Sequence, residues 1–392
     1  MPELIDKFDY LLKPTGPAAI VIKQWFKPVG DAVIFPPTYA NPREGDPAVY
    51  NIDRFGETST LGKRFEKFKK THTFMDSDRV ESGAIHSVCV IDSIPSQANR
   101  IEPIFGRLTK DDDTPIRLVP KVTVNAKVDG QPVSLDLLVD AGHRIADAIV
   151  RHTSIGDDVA KAISARKGNK PNSLPLAKLA PTSLVFGMWD SQSSGVKVPR
   201  LVNSIIRAYD VREHRRSSQF NPAMDYEAAG VTTDKGDKKL SEVGMDGAPS
   251  TFQLGGVEAL GGICRDASLN LCTLRDLMAD PHSETIKLQR YILGLSLVAI
   301  TYFDGMTLNL RQGCQLVGEP KKPMTRKAIK ADGNEDEFDI NRETAIDYAI
   351  AVADNFVVGP DRVDAAFNPA AAKASRKSSK KKAEGEQPEG QP

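Results

Sequence analysis

The sequence is poor in the features that announce most functional classes. It holds four cysteines, Cys89, Cys264, Cys272 and Cys314, scattered over 392 residues. They are too few and too dispersed for a disulfide scaffold, and no CxxC pair offers zinc-site spacing. Cys264, Cys272 and His282 together make only three candidate ligands at an unusual spacing, so no metal is expected. The longest strongly apolar run, Tyr291 to Phe303, spans thirteen residues and is too short to cross a bilayer. The opening MPELIDKFDYLL lacks the basic region and apolar block of a secretory signal. A soluble protein of the reducing cytoplasm, with no membrane partner, is the expectation. Net charge is missing too: 52 Lys and Arg balance 52 Asp and Glu. Any electrostatic function therefore rests on local segregation of charge.

Catalytic signatures are equally scarce. The six histidines, His72, His86, His143, His152, His214 and His282, form no HxH, HxxxH or HExxH. The glycines of Leu254–Gly262 fit neither a dinucleotide fingerprint nor a phosphate loop. They suit a bend or a close backbone approach. Asp111-Asp112-Asp113 beside Lys110 and Pro115 reads as a solvated turn rather than a cation site. Neither a cofactor nor catalysis is expected, although histidine and carboxylate groups that meet only in space escape such a scan.

What is present reads as α+β, an antiparallel sheet with helices on one face and long inserted loops. At 40% hydrophobic, the chain has enough apolar content for a core. Ala18–Ile22, Ala32–Phe35, Ile85–Asp92 and Ser183–Gly187 have strand character. Val122–Val128 and Val133–Val139 frame Asp129-Gly130, a hairpin signal that Gln131-Pro132 lengthens slightly. Helices are expected over Ala141–His152 (Ile145 and Ile149 inward; Arg144, Asp147 and Arg151 outward), Pro199–Val211, His282–Phe303 (capped by Asp280 or Ser283) and Ala345–Val357. Lys161–Lys178 and Gly318–Glu337 read as loops. Residues 1–370 are expected to form one domain with insertions at about 36–80 and 225–247. Residues 371–392, built from Ala, Lys, Ser, Glu, Gly, Gln, Pro and Arg, are expected to be a disordered tail.

Two basic features stand out. Lys63–Lys70 interleaves phenylalanines with cations, a pattern able to contact nucleic acid. A short surface helix with Phe65 and Phe68 tucked inward is the favoured alternative. Between Val139 and Ser218 there are thirteen Lys and Arg against seven Asp and Glu. On the expected helix from Pro199, Arg200, Asn203 and Arg207 share a face, preceded by Lys197 and followed by Arg212, Arg215 and Arg216. Guanidinium forks match phosphate oxygens, so this is a candidate track for a phosphodiester strand. A plainly solvated face is the alternative.

Four stretches taken in order are more specific: Ile91–Glu102 (IDSIPSQANRIE), Phe186–Arg200 (FGMWDSQSSGVKVPR), Arg216–Phe220 (RSSQF) and Gly255–Arg265. Over roughly residues 15 to 310 the set resembles the RAMP-superfamily backbone subunit of type I-U (now I-G) CRISPR effector complexes, the Csb-one or Cas-seven family. The resemblance implies an RRM-like (ferredoxin-like) core. It implies a non-catalytic subunit that polymerises with other copies of itself along guide RNA (crRNA). Such a subunit joins the other Cascade subunits and presents bases for pairing with target DNA in antiviral defence. It also nominates RNA contacts: Ser96, Gln97, Asn99 and Arg100 first, then Lys197, Arg200 and Arg207, then Arg215, Arg216 and Arg265. Trp189 is left equally open as a stacking platform or a core residue. The aromatic RNA-binding block of ordinary RRM domains is missing and aromatics are only 6%, so backbone gripping is favoured over base-by-base stacking. Related backbone subunits of type III complexes cut RNA with a loop aspartate, but nothing around Asp92, Asp190 or Asp210 singles one out for that role. A metal-dependent ribonuclease using scattered Asp and His residues, and a protein-only structural subunit, remain the alternatives.

Overall fold

The computed structural model describes residues 2–30, 32–41, 47–54, 87–110, 113–231 and 238–375. The Lys63–Lys70 stretch, Asp111 and Asp112, most of the expected 36–80 insertion and residues 376–392 lie outside them. In chain order the strands begin with β1 (Ala19–Pro28), β2 (Val33–Ile34), β3 (Thr38–Tyr39), β4 (Val49–Tyr50), β5 (Ile52–Arg54) and β6 (Ser87–Asp92). They continue with β7 (Val122–Val128), β8 (Gln131–Asp136), β9 (Met188–Trp189), β10 (Lys197–Val198), β11 (Val202–Phe220) and β12 (Ala248–Asn270). The last are β13 (Leu308–Arg311), β14 (Cys314–Gly318), β15 (Thr325–Ile329), β16 (Glu335–Glu337) and β17 (Arg362–Ala366).

The fold is α+β. Its main sheet is open and runs β13-β14-β1-β12-β11-β6-β5, with β15 also on β1, β16 on β15 and β2 on β12. Every pairing in that sheet is antiparallel. Within it, β14-β1-β12-β11 places the fourth, first, third and second strands of a βαββαβ unit side by side, the ferredoxin-like order. The helix Thr285–Ile300 follows β12 and is buried along most of its length. Against it packs the helix Arg342–Phe356, close enough that a Cβ on Gly294 would lie 3.0 Å from the Ala349 Cα. Tyr291 stacks on Phe356 at 4.3 Å and donates to the Leu118 carbonyl at 2.8 Å.

Several local expectations change. Pro199–Val211 is not a helix: from Val202 the chain is strand, with Val202, Ser204, Ile206 and Ala208 buried in alternation. The apolar set keeps helical spacing, but β-branched Val202, Ile205, Ile206 and Val211 favour extended backbone. Ser183–Gly187 is instead the end of a short helix, Thr182–Val185, an ambiguity inherent in brief apolar runs. The helix expected over Ala141–His152 breaks into a 3-10 turn, Arg144–Ala146, and the helix Ala148–Arg151, whose N-cap Asp147 accepts from Ile149 N. Lys161–Lys178 is largely helical at its ends, Gly156–Ser164 and Leu174–Leu179, Pro175 being tolerated in a first turn. Gly318–Glu337 carries the β15–β16 hairpin rather than only a loop. Asp129-Gly130 closes a two-residue turn after all, both residues at positive φ, and β8 stops at Asp136, which caps the helix Leu137–Asp140. Neither Asp280 nor Ser283 caps the long helix; the turn His282–Glu284 leads into it. Residues 369–375, where the tail was expected to begin, are helical.

The glycine cluster lies inside β12, not in a loop. Gly256 and Gly262 hold φ of +97° and +92°, and a Cβ on Gly261 would sit 2.8 Å from the Tyr209 backbone. These positions let β11 and β12 stay paired past the register shifts at Tyr209/Val211 and Glu213/Arg215. The two strands thereby continue as a ribbon out to Phe220 and Ala248.

A buried polar chain joins the sheet to its helices. Asp92, at the end of β6, is 0% exposed. Its carboxylate accepts from Ser96 Oγ (2.7 Å), Gln97 Nε2 (2.6 Å), Arg100 Nε (2.9 Å) and Arg311 NH2 (3.2 Å). Gln97 Oε1 accepts from Ser204 Oγ at 2.8 Å, and Ser204 Oγ accepts from Arg265 Nε at 2.9 Å. Arg265, also 0% exposed, reaches Gln24 Oε1 and the Ile300 carbonyl that ends the long helix. Burial lowers its guanidinium pKa to about 10, so it stays charged at neutral pH.

Two outcomes follow. Asp92→Ala strands two guanidinium groups and an amide, and is expected to cost about 3–5 kcal/mol in urea unfolding; a loss below about 1 kcal/mol would contradict the assigned network. Burial pushes the Cys89 thiol up to about 12, Cys314 up to about 11, and Cys264 upward too. Cys272 is exposed. Iodoacetamide at pH 8 is therefore expected to label Cys272 alone in the folded protein, as peptide mass spectrometry would read.

Candidate nucleic-acid interface

The nominated cations divide by the direction their backbone gives them. Gln97 and Arg265 are fully enclosed in the polar chain, and Ser96 and Arg100 are tied to Asp92, Arg100 also donating to the Leu310 carbonyl at 2.6 Å. Arg100 therefore serves Asp92. Asn99, on the outer side of the helix Ile94–Ile101, is exposed. Arg207 projects from the sheet face opposite the helices, 3.6 Å from Asp266. On that face Tyr209 donates to Asp266 at 3.3 Å, Trp25 lies 6.0 Å from Tyr209, and Lys322 Nζ sits 3.8 Å over the Trp25 ring. Arg215 and Arg216 are on the ribbon. Arg215 pairs with Glu213 at 2.6 Å, and Arg216 lies 5.1 Å over the Phe35 ring. Arg100, Lys197, Arg200 and Arg207 do not share a furrow; Lys197 and Arg200 do.

Those two line a cleft of about 410 Å³ with Gly142, His143, Arg144, Gly187, Met188, Trp189, Val198 and Pro199. Its wall is the β9–β10 hairpin, whose register sets Lys197 directly opposite Trp189. Lys197 Nζ then lies 4.6 Å from the indole centroid, within cation–π range. Trp189 is 58% exposed, which removes it from the core. The hairpin loop is pinned by Asp190, which accepts from Ser194 N at 2.8 Å and from Arg151 at 3.2 Å. Asp190, like Asp92, is a buried partner of arginine. Gly187 turns the chain at φ +76°; a Cβ there would strike Arg200 Cγ and the Val198 carbonyl, each at 2.8 Å. With that space open, Arg200 Nε donates to the Phe186 carbonyl at 3.0 Å and the side chain lies along the wall.

Arg144 forms part of the floor and was missed in the sequence, where helical periodicity turned it outward. It is 4% exposed and at φ +56°. Its Nε is 2.8 Å from Glu102 Oε2, its NH1 donates to the Gly187 carbonyl at 3.3 Å, and its NH2 has no acceptor among the described residues. Burial lowers its pKa, Glu102 opposes that shift, and nearby Arg200 adds to it. Burial in turn raises the Glu102 carboxyl, against the pull of Arg144. A positive-φ arginine has no signature in the sequence, because only the surrounding contacts can compensate its strain. The cleft thus combines an exposed indole with Lys197, Arg200 and a half-compensated Arg144: chemistry that binds an anion bearing a flat ring. Among the described residues no group of three His, Cys, Asp or Glu could hold a metal ion, and no helix is long and apolar enough to cross a membrane.

No curated protein matches the chain. The family described as CRISPR-associated protein GSU0053 matches residues 20–213, from the start of β1 into β11. That interval contains Asp92 with its helix, the Arg144 floor and the whole β9–β10 hairpin. The chain belongs to the CRISPR-associated GSU0053 family.

Proposed function

We propose that this protein is a non-catalytic crRNA-binding backbone subunit of a CRISPR Cascade complex. Copies line up along the guide RNA, hold its backbone, contact other Cascade subunits and leave the bases free for target DNA. Sequence is then read by base pairing, and the protein needs cations on limited surfaces only, as a neutral molecule with a local surplus provides. The reading is supported by family membership and by the ferredoxin-like sheet. The observation that carries it is the cleft where Lys197 and Arg200 flank the exposed Trp189. Ring stacking and phosphate pairing at one place suit single-stranded RNA. Arg215, Arg216 and Arg212 on the ribbon, and Arg207 on the open sheet face, offer further phosphate contacts, each weakened by a neighbouring carboxylate or ring.

Purified protein is expected to carry nuclease-protected RNA. Lys197→Ala with Arg200→Ala should lower affinity for single-stranded RNA about tenfold and reduce the salt slope by about 1.4, the effect of two lost phosphate contacts. Unchanged RNA content and salt slope would refute the site. RNA cleavage that depends on divalent ions would instead favour a metal-dependent ribonuclease, and assembly indifferent to ribonuclease a protein-only structural subunit.

A further inference from the structure

We infer that the cleft beneath the β9–β10 hairpin is a pocket for one nucleotide: its base lies against Trp189 and its phosphate faces Lys197, Arg200 and the Arg144 floor. This rests on the RNA-binding reading and goes beyond it. A backbone grip alone needs cations along a surface, not a cavity. About 410 Å³ falls within the roughly 300–1,000 Å³ of small-ligand pockets. Trp189 lines the cleft and is 58% exposed, with a cation already at its ring.

Electrostatics select an anion. Lys197, Arg200 and Arg144 line the cleft, while Glu102, the one carboxylate paired with them among the described residues, lies behind Arg144 and is itself buried. The Arg144 NH2 group, enclosed and without an acceptor among the described residues, is a desolvated donor that costs stability unless a partner arrives. Gly187 keeps this arrangement open: its missing Cβ is the space in which Arg200 lies, and its carbonyl holds Arg144. An aromatic base joined to a phosphate satisfies both halves of the site, whereas a nucleoside or inorganic phosphate satisfies one. The nucleotide reaches the cleft either within a bound RNA strand, turned in from it, or free in solution.

Trp25 and Trp189 are the only tryptophans, so Trp25→Phe leaves Trp189 as the sole indole reporter. RNA-stripped, full-length Trp25→Phe protein would be titrated with adenosine monophosphate, adenosine, inorganic phosphate and a twelve-nucleotide RNA. Quenching by adenosine monophosphate about tenfold tighter than by adenosine, and at least about fivefold weaker in Lys197→Ala, is expected for one charge-assisted contact. Quenching by RNA but not by the free nucleotide assigns the pocket to a strand-borne unit. Quenching by adenosine monophosphate that RNA does not displace assigns it to a free one. Failure of both ligands to quench, or equal affinity for adenosine and its monophosphate, overturns the pocket. RNA retained without any change at Trp189 overturns the pocket and spares the RNA-binding reading. Nucleotide bound without RNA retention does the reverse. Circular dichroism of Lys197→Ala, whose side chain is exposed, separates lost binding from lost folding.

Discussion

The structure depends on the Asp92 carboxylate, set where water does not reach. A bare carboxylate in that position would be too costly to bury. Here two arginines, a serine and an amide surround it, and the amide passes the connection through Ser204 to Arg265 and on to the end of the long helix. Because each donor is satisfied only when β6, β11, β12, β13 and two helices stand in one arrangement, the network fixes register more than it adds net energy.

That network also separates structural cations from available ones. Arg100, Arg311 and Arg265 are held by the interior; Lys197 and Arg200 are left facing a cleft. The division follows from backbone direction. Strands alternate their side chains, so neighbouring positions on β11 send Ser204 to the core and Arg207 to the open face. Of the positions nominated from sequence, those nearest Asp92 serve the fold, and those around the β9–β10 hairpin line the cleft.

Long strands extend this logic. The β11–β12 ribbon continues past the sheet because glycines in β12 absorb its register shifts, and it carries Arg212, Arg215 and Arg216 out with it. At its far end Phe252 is 80% exposed and Phe220 50%. The cleft and the ribbon are distinct surfaces, each combining cations with rings.

By itself the sequence determined the α+β class, the β1 and β6 cores, the Asp-Gly hairpin and the two long C-terminal helices. These follow from local periodicity and turn chemistry, which need no distant partner. The motifs around Ser93–Arg100 and Phe186–Arg200 were also legible as a family resemblance. What sequence could not supply was direction. Val202–Val211 carried its apolar residues at helical spacing, and only pairing with β12 on one side and β6 on the other made it strand. Likewise Arg265 and Arg100 resemble Lys197 and Arg200 as charges. Tertiary structure alone tied the first pair to Asp92 and Ser204, left the second pair beside Trp189 without a carboxylate among the described residues, and brought in Arg144, because a side chain's neighbours from distant segments decide whether its charge is spent inside or offered outside.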